Sequence, residues 1–310
     1  MHRRAFLAAS AAITCSPAWG APEKQTHTYK RVGDLEIQAD VYRAGPAAIL
    51  WLHGGALIFG HRGNLRPAQM EKYTAAGYTV VSVDYRLAPE VKLPEILKDL
   101  EDAWTWVQRD GPKLFGIDPR RVAIIGHSAG GYLSLCCGYR CQPRPRALVS
   151  FYGFGDITAD WEAKPSPFYL KQPAVSKDDA YGSVGGKVVT GTPGPNQRAR
   201  FYLYCRQQGL WPQEVAGLDP VTENKRFNPY CPARNVTKRY PPTLLLHGDA
   251  DTDVPFSQSE QMASELKRRD VEHELIRIPG GPHGFDGRMN DPLAAEAFAK
   301  VLVFLNRRLG

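Results

Sequence analysis

The stretch Val122-Ala-Ile-Ile-Gly-His-Ser-Ala-Gly-Gly131 decides how the rest of the chain is read. It joins an apolar, β-branched run to a Gly-x-Ser-x-Gly motif, and a helix-compatible segment follows over residues 132–139. This order predicts a strand, a sharp turn and a helix, with Ser128 on the turn. A tight strand-to-helix turn holds a serine hydroxyl on an exposed, strained corner, where the hydroxyl can act as a nucleophile. Ser128 is therefore the candidate nucleophile.

Short apolar runs on both sides of this stretch predict further strands. They cover residues 47–52, 78–83, 147–152 and 243–246, and a further strand is predicted over residues 273–278. Residues 26–42 alternate well enough for two antiparallel strands at one edge of the sheet. Segments with helical spacing or helix signals cover residues 67–77, 93–107, 256–269 and 292–309. Strands that alternate with helices form a mainly parallel, twisted sheet with helices on both faces, so we predict an α/β fold.

Residues 153–242 interrupt this alternation of strands and helices. The segment is rich in proline, glycine and aromatic residues and shows no regular hydrophobic period. A long segment of this kind within a compact domain is often a lid or a binding insertion. We therefore predict a cap over residues 153–242, with Tyr152, Trp161 and Trp211 as candidate substrate-binding residues.

A serine hydroxyl is a poor nucleophile at neutral pH, so Ser128 needs a base within reach and a group that orients this base. His283 is the candidate base, because it lies in a Gly/Pro-rich loop after the last strand, at the functional end of the sheet. His127 is the neighbour of Ser128, but the turn should point its side chain away. His53 and His247 are expected to support the loops around them.

The group that orients the base is expected in the loop before the last strand, which gives the chain order Ser, Asp, His. Asp249, Asp251 and Asp253 all lie in that loop, and their spacing alone does not separate them. A carboxylate at this place would hold the imidazole in one tautomer.

The sequence His53-Gly54-Gly55-Ala56 follows the predicted strand at 47–52. Glycines allow a backbone to approach a reacting carbonyl closely, and backbone N–H groups stabilise the negative charge that develops there. We predict an oxyanion hole from the N–H groups of Gly54, Gly55 and Ala129, the last being the residue after the nucleophile.

Composition indicates one globular domain over residues 21–310, because 43% of the 310 residues are hydrophobic and 23% are charged. The net charge of +7 is scattered, without a basic run that interleaves with aromatic residues, so nucleic-acid binding is not expected. No cysteine or histidine spacing indicates a metal site, and we expect neither metal nor cofactor. Cys205 and Cys231 both lie in the aromatic-rich segment, where a disulfide between them is a hypothesis.

Residues 1–20 differ in character from the remainder. Arg3 and Arg4 precede a small, apolar run, and small residues at 18 and 20 suit signal peptidase. Paired arginines followed by Phe-Leu resemble a twin-arginine export signal. We expect an exported bacterial protein, periplasmic or extracellular, without a stable membrane anchor, since the apolar run is too short to span a bilayer.

The chain is similar to α/β-hydrolases of the esterase/lipase superfamily. The resemblance rests on the motifs at 53–56, 126–130, 247–255 and 281–285. It implies an α/β-hydrolase fold and assigns the orienting acid to Asp251, which lies four residues after His247 and three before Val254-Pro255. Ala56 departs from the glycine that commonly ends His-Gly-Gly-Gly, but a backbone donor is insensitive to this change. Residues 153–242 match no pattern that defines a substrate.

These residues together predict a secreted serine carboxylic-ester hydrolase that acts through an acyl-enzyme. Small esters and carbohydrate-linked acetyl or feruloyl esters both suit it as substrates. A serine peptidase of the prolyl-oligopeptidase type has the same three residues and is the enzymatic alternative, although such enzymes usually carry a large additional domain. A non-catalytic exported binding protein on a hydrolase scaffold is the third possibility, since fold does not imply function.

Overall fold

A computed structural model describes residues 23–192 and 197–310, and the predicted export signal over residues 1–20 lies outside them. The described residues form an eight-stranded sheet. Its strands in chain order are β1 (Lys24–Val32), β2 (Leu35–Tyr42), β3 (Ala47–Leu52), β4 (Tyr78–Val83), β5 (Val122–His127), β6 (Ala147–Phe151), β7 (Thr243–Gly248) and β8 (His273–Ile278).

The strands lie side by side in the order β1-β2-β4-β3-β5-β6-β7-β8. β1 pairs antiparallel with β2, and β2 pairs antiparallel with β4, while every later pairing is parallel. The central strands β3 and β5 are aligned so that Leu50 lies opposite Ile124. The prediction of a mainly parallel sheet is therefore confirmed, including its antiparallel edge.

Helices cover both faces of the sheet. In the described residues they are α1 (Pro67–Ala75), α2 (Leu93–Arg109), α3 (Gly111–Phe115), α4 (Ala129–Arg140), α5 (Asp160–Ala163), α6 (Lys177–Tyr181), α7 (Arg198–Gln208), α8 (Trp211–Ala216), α9 (Ser257–Arg268) and α10 (Pro292–Leu309). Alternate residues of a strand point to opposite faces, so Leu50 packs in the layer with α2, α4 and α9, and Ile49 packs with α1 and α10. Both faces of β3 to β7 are thus buried, which explains their continuous apolar sequences.

Residues 153–242 connect β6 to β7, and their described part holds the short helices α5 to α8 together with several 3₁₀ turns. The sequence shows no period here because the buried face of α7 carries charge. Arg198 and Arg206 are buried on α7 together with Phe201 and Cys205. Charged side chains that are buried in pairs with acids do not produce the apolar stripe from which a helix is predicted.

The structure also bears on the predicted disulfide and on membrane-spanning helices. Cys205 and Cys231 are both buried free thiols, so the hypothesis of a disulfide between them is wrong. Cys231 instead lies with its Sγ 3.4 Å from Oδ1 of Asp156. Among the helices of residues 23–192 and 197–310, none has the length and apolar character needed to cross a membrane.

Candidate active site

Ser128 lies on the turn between β5 and α4, with φ 56° and ψ −121°. A positive φ is strained for a residue other than glycine, and the tight turn explains it. The flanking glycines make the turn possible: a Cβ on Gly126 would lie 2.0 Å from the carbonyl oxygen of Gly130, and one on Gly130 would lie 2.2 Å from that of Leu52. The strand, the helix and the neighbouring strand β3 thus approach more closely than side chains allow.

Three predicted residues from three separate loops meet at the carboxyl end of the sheet. Oγ of Ser128 lies 3.0 Å from Nε2 of His283, and Nδ1 of His283 lies 2.7 Å from Oδ2 of Asp251. An ionised carboxylate only accepts hydrogen bonds, so Nδ1 of His283 carries the proton and donates it to Asp251. Nε2 is then free to accept the hydroxyl hydrogen of Ser128.

Asp251 has a fully buried side chain that is surrounded by donors. Its Oδ1 accepts the backbone N–H groups of Asp253 at 2.8 Å and Val254 at 2.9 Å, and Nε2 of His247 lies 3.2 Å from its Oδ2. Burial alone would raise the pKa of Asp251, but the hydrogen bonds from His247 and His283 more than offset burial and hold this pKa well below its usual range. Asp251 is therefore ionised at neutral pH.

The other two aspartates of this loop are placed differently. Asp249 lies at the surface, where its Oδ2 accepts from Nε of Arg277 at 2.8 Å. Asp253 has its Oδ2 3.6 Å from Nε2 of His283, on the side of the ring that faces Ser128. The structure thus distinguishes three carboxylates that their spacing in the sequence does not separate.

His283 lies close to several acidic side chains. Burial lowers the pKa of the His283 imidazole, but the hydrogen bond to Asp251 and the negative charges of Asp253, Asp251 and Asp286 outweigh burial and raise it above its ordinary value. Because the His283 pKa is raised, the imidazole ring stabilises the proton that Nε2 accepts from Ser128. The arrangement suits a general base that becomes charged during the reaction.

The glycine loop after β3 lies against Ser128. A Cβ on Gly54 would lie 2.8 Å from the carbonyl oxygen of His127 and 3.3 Å from Cβ of Ser128, and Gly55 has φ 107°. Within the part of the chain that the structure describes, the backbone N–H groups of Gly54, Gly55 and Ala129 donate to no protein acceptor. These three donors are available for a ligand oxygen beside Ser128.

Contacts from two sides fix this glycine loop. The Tyr85 hydroxyl donates to the carbonyl oxygen of His53 at 2.8 Å, and Nε1 of Trp211 donates to that of Ala56 at 2.9 Å. Ala56 itself has φ 54°, a left-handed conformation that costs a residue with a side chain about 1–2 kcal/mol. The departure from glycine at this position therefore strains the loop without removing a donor.

A cavity of about 460 Å³ opens above Ser128. Tyr152, one of the three candidate substrate-binding residues, lies on the wall of this cavity. Its ring packs against that of His283 with centroids 4.6 Å apart. Trp161 and Trp211 are not on the wall, which corrects the expectation that they contact substrate. Trp211 is fully buried beneath the glycine loop, and Trp161 packs on Phe154 with ring centroids 5.2 Å apart.

His127 and His53 are both buried. His127 stacks on Phe151 with centroids 4.3 Å apart, has its Nε2 3.1 Å from Oδ2 of Asp286, and also borders the cavity above Ser128. His53 is fully buried, and burial lowers its pKa to about 3, so its imidazole is neutral.

Sequence reasoning missed the buried Asp286 and the wall residue Tyr202. Asp286 accepts from Nε2 of Gln69 and from the Tyr152 hydroxyl, both at 2.6 Å. Its position three residues after His283 was the one available signal for Asp286. Tyr202 comes from α7, whose sequence carries no recognisable pattern. In residues 23–192 and 197–310, no three His, Cys, Asp or Glu side chains are arranged to hold a metal ion.

Comparison with known proteins gives a family and several relatives. A family model described as alpha/beta hydrolase fold matches residues 49–287. The non-reducing polyketide synthase atr1 of Stereocaulon alpinum is 29% identical over an alignment of 304 positions, which covers 84% of this chain and 12% of that protein. The non-reducing polyketide synthase adrD of Penicillium rubens is 28% identical over an alignment of 357 positions, which covers 96% of this chain and 14% of that protein. The chain thus spans about an eighth of the length of these relatives.

Solved structures share the fold at low sequence identity. A Staphylococcus aureus protein of unknown function superimposes with a TM-score of 0.77 at 22% identity, covering 92% of this chain and all of that one. A thermophilic esterase of Thermogutta terrifontis with butyrate bound gives a TM-score of 0.65 at 20% identity, covering 92% and 94%. Because the family model matches most of the chain, the protein belongs to the α/β-hydrolase fold family.

Proposed function

We propose that the protein is a serine carboxylic-ester hydrolase with Ser128 as nucleophile, His283 as base and Asp251 as the residue that orients this base. One observation carries the proposal: the unbroken series of contacts from Oγ of Ser128 through His283 to Asp251, over 3.0 Å and 2.7 Å, at the floor of a cavity. Unpaired backbone donors stand beside the same hydroxyl. Acyl transfer needs these groups together.

In the first half of the reaction, Oγ of Ser128 forms a bond to the ester carbonyl carbon while its proton passes to Nε2 of His283. The carbonyl oxygen becomes negative and accepts hydrogen bonds from the N–H groups of Gly54, Gly55 and Ala129. The carbon–oxygen bond to the alcohol then breaks, and His283 returns the proton to the departing oxygen. An acyl group remains on Ser128.

In the second half, water attacks this acyl group and gives a proton to Nε2 of His283. The bond between the acyl carbon and Oγ breaks, His283 reprotonates Ser128, and the carboxylic acid leaves. Asp251 stabilises the imidazolium in both halves and keeps Nδ1 protonated. Both steps therefore use the same three side chains and the same donors.

The cavity supports small acyl groups or esters of carbohydrates as the substrate class. Its described wall combines the aromatic rings of Trp51, Phe59 and Tyr202 with polar groups, a mixture typical of sites that orient a small ligand. Tyr202 and Thr192 reach this wall from residues 153–242, so we propose this segment as a cap over the site. The paired arginines near the N-terminus support export to the periplasm or exterior as part of the same proposal.

An assay of purified protein on four substrates tests this function. We expect hydrolysis of p-nitrophenyl acetate, together with turnover of acetylated xylan or a feruloyl ester, and no cleavage of a dipeptide amide. Amide cleavage that exceeds ester cleavage would favour the peptidase alternative, and absence of turnover on every substrate would contradict the proposal. Export would be supported if the protein recovered from the periplasm or the medium lacked the N-terminal segment.

A further inference from the structure

Asp253 is an acid of the cavity that the proposed reaction does not use. It lies two residues after Asp251, and its side chain is 17% exposed. Its Oδ1 accepts three hydrogen bonds: from the Tyr169 hydroxyl at 2.9 Å, the Tyr202 hydroxyl at 2.6 Å and Nη1 of Arg206 at 2.7 Å. All three donors belong to residues 153–242. One oxygen of the carboxylate is therefore saturated and fixed in position.

The second oxygen is different. Among the described residues, the side-chain neighbour of Oδ2 is Nε2 of His283 at 3.6 Å, beyond hydrogen-bond distance. Asp253 also lines the cavity above Ser128. A carboxylate oxygen has two lone pairs, so Oδ2 is an acceptor at the cavity wall that receives no hydrogen bond from residues 23–192 or 197–310. A ligand that offers a donor would satisfy it.

The charge of Asp253 is already balanced. Arg206 is almost fully buried and lies between Asp253 and Glu162, with its Nε 3.3 Å from Oε2 of Glu162. Burial raises the pKa of Glu162. The direct partner of the Asp253 carboxylate is the Arg206 cation, with Nη1 2.7 Å from Oδ1, so the charge of Asp253 is neutralised within the protein. A neutral donor such as a hydroxyl therefore suits this place better than a cation.

The position of Oδ2 identifies the part of the substrate that it meets. Nε2 of His283 returns a proton to the departing alcohol oxygen, which must lie within hydrogen-bond reach of Nε2. Oδ2 of Asp253 flanks the same nitrogen at 3.6 Å. A hydroxyl on the carbon next to the one that bears the ester stays close to the departing oxygen, so it is placed to reach Oδ2.

We propose that Oδ2 of Asp253 accepts a hydrogen bond from a hydroxyl of the alcohol portion, so that the preferred substrates are monoesters of vicinal diols, as in partly acylated sugars. This inference rests on the proposed ester hydrolysis and names its substrate class. It also assigns a role to residues 153–242, since Tyr169, Tyr202 and Arg206 orient the Asp253 carboxylate that contacts the substrate.

Three acetates that differ only in the alcohol test the inference. 2-Hydroxyethyl acetate carries the hydroxyl, propyl acetate has the same size without it, and 2-methoxyethyl acetate keeps the oxygen but not the donor. We would measure acetate release in a pH-stat for the unaltered protein, Asp253→Asn and Asp249→Asn. In Asp253→Asn, the side-chain amide would present its N–H₂ where Oδ2 stands while its oxygen still faces Arg206. Asp249→Asn is the matched control, because Asp249 lies in the same loop but at the surface.

We expect Asp253→Asn to lower kcat/KM for 2-hydroxyethyl acetate about ten- to a hundredfold more than for propyl acetate, the usual worth of a hydrogen bond to a charged group. The methoxy ester should behave like propyl acetate, and Asp249→Asn should leave unchanged the ratio of kcat/KM for 2-hydroxyethyl acetate to kcat/KM for propyl acetate.

The charged or titratable groups facing His283 are Asp251, Asp253, Asp286 and Tyr152. Because Asp253 raises the His283 pKa, Asp253→Asn should also move the acid limb of kcat/KM for propyl acetate to lower pH.

Asp253→Glu serves if Asp253→Asn does not fold, since it keeps a charge for Arg206 but displaces the oxygen, and it too should lose the preference for the hydroxyl. Equal losses on 2-hydroxyethyl and propyl acetate, with ester hydrolysis intact in the unaltered protein, would overturn this inference and leave the proposed function standing. Protonated 2-(dimethylamino)ethyl acetate would be added as a fourth ester, and a preference of the unaltered protein for it over 2-hydroxyethyl acetate would also overturn the inference. Absence of hydrolysis of all esters by the unaltered protein would overturn both.

Discussion

Replacing Ser128 with alanine is expected to lower kcat/KM for p-nitrophenyl acetate by about four to six orders of magnitude, the range seen when a serine hydrolase loses its nucleophile. The hydroxyl that points at Nε2 of His283 is the group that forms the covalent intermediate. Without it, the remaining donors and His283 can only assist direct attack by water. Steady-state hydrolysis with stopped assays at high enzyme concentration would measure the residual rate.

The control for this variant is Ser257→Ala, which removes a serine hydroxyl from an exposed position at the start of α9. Ser257→Ala should keep full activity. Stability should be similar in both variants, because alanine suffers about the same strain as serine at φ 56°. If Ser128→Ala kept more than a few per cent of the activity, Ser128 would not be the nucleophile.

Asp251→Asn is expected to lower kcat for the same ester by about four orders of magnitude while leaving the fold intact. An asparagine amide donates where the carboxylate accepts, so it favours the His283 tautomer with the proton on Nε2. That tautomer cannot take the proton of Ser128. Loss of the negative charge also removes the stabilisation of the imidazolium that forms in each half of the reaction.

Asp249→Asn is the matched control for the acid as well, since Asp249 pairs with Arg277 at the surface and does not contact His283. It should retain nearly full activity. Asp253→Asn should show a smaller loss than Asp251→Asn on p-nitrophenyl acetate, whose alcohol carries no hydroxyl beside the ester. The assignment of the acid would be wrong if Asp251→Asn stayed nearly fully active while either neighbour collapsed.

Most of the sheet follows from the sequence because its central strands are buried on both faces. Continuous apolar runs predict β3 and β4 with the bounds that the structure shows, the strand predicted at 273–278 coincides with β8, and the amphipathic pattern predicts the bounds of α10. Short loops then place the motifs at one end of the sheet. The prediction of Ser128 and His283 rests on this placement, since each lies in a loop directly after a recognisable strand.

The choice among Asp249, Asp251 and Asp253 lies beyond residue spacing. The three differ in where the loop directs each side chain, and that depends on backbone bonds such as the one from Val254 N–H to Asp251. The resemblance to known hydrolases selected Asp251, and the distances in the structure agree with that selection.

Residues 153–242 show the opposite case, because their composition predicts the wrong contacts. Aromatic density pointed to Trp161 and Trp211 as substrate contacts, yet Trp211 is fully buried beneath the glycine loop. Tyr202 reaches the cavity instead, from a helix whose buried face includes the charged Arg206. Side-chain direction in an irregular segment follows from its tertiary contacts, and no period in the sequence encodes these contacts.

Covalent labelling shows directly whether Ser128 is the nucleophile. The protein would be incubated with a serine-directed fluorophosphonate, digested, and its peptides analysed by tandem mass spectrometry, with Ser128→Ala treated in parallel. We expect a single stoichiometric adduct on Ser128 and no adduct in Ser128→Ala. An adduct on another residue, or an unlabelled Ser128 in protein that hydrolyses esters, would contradict this expectation.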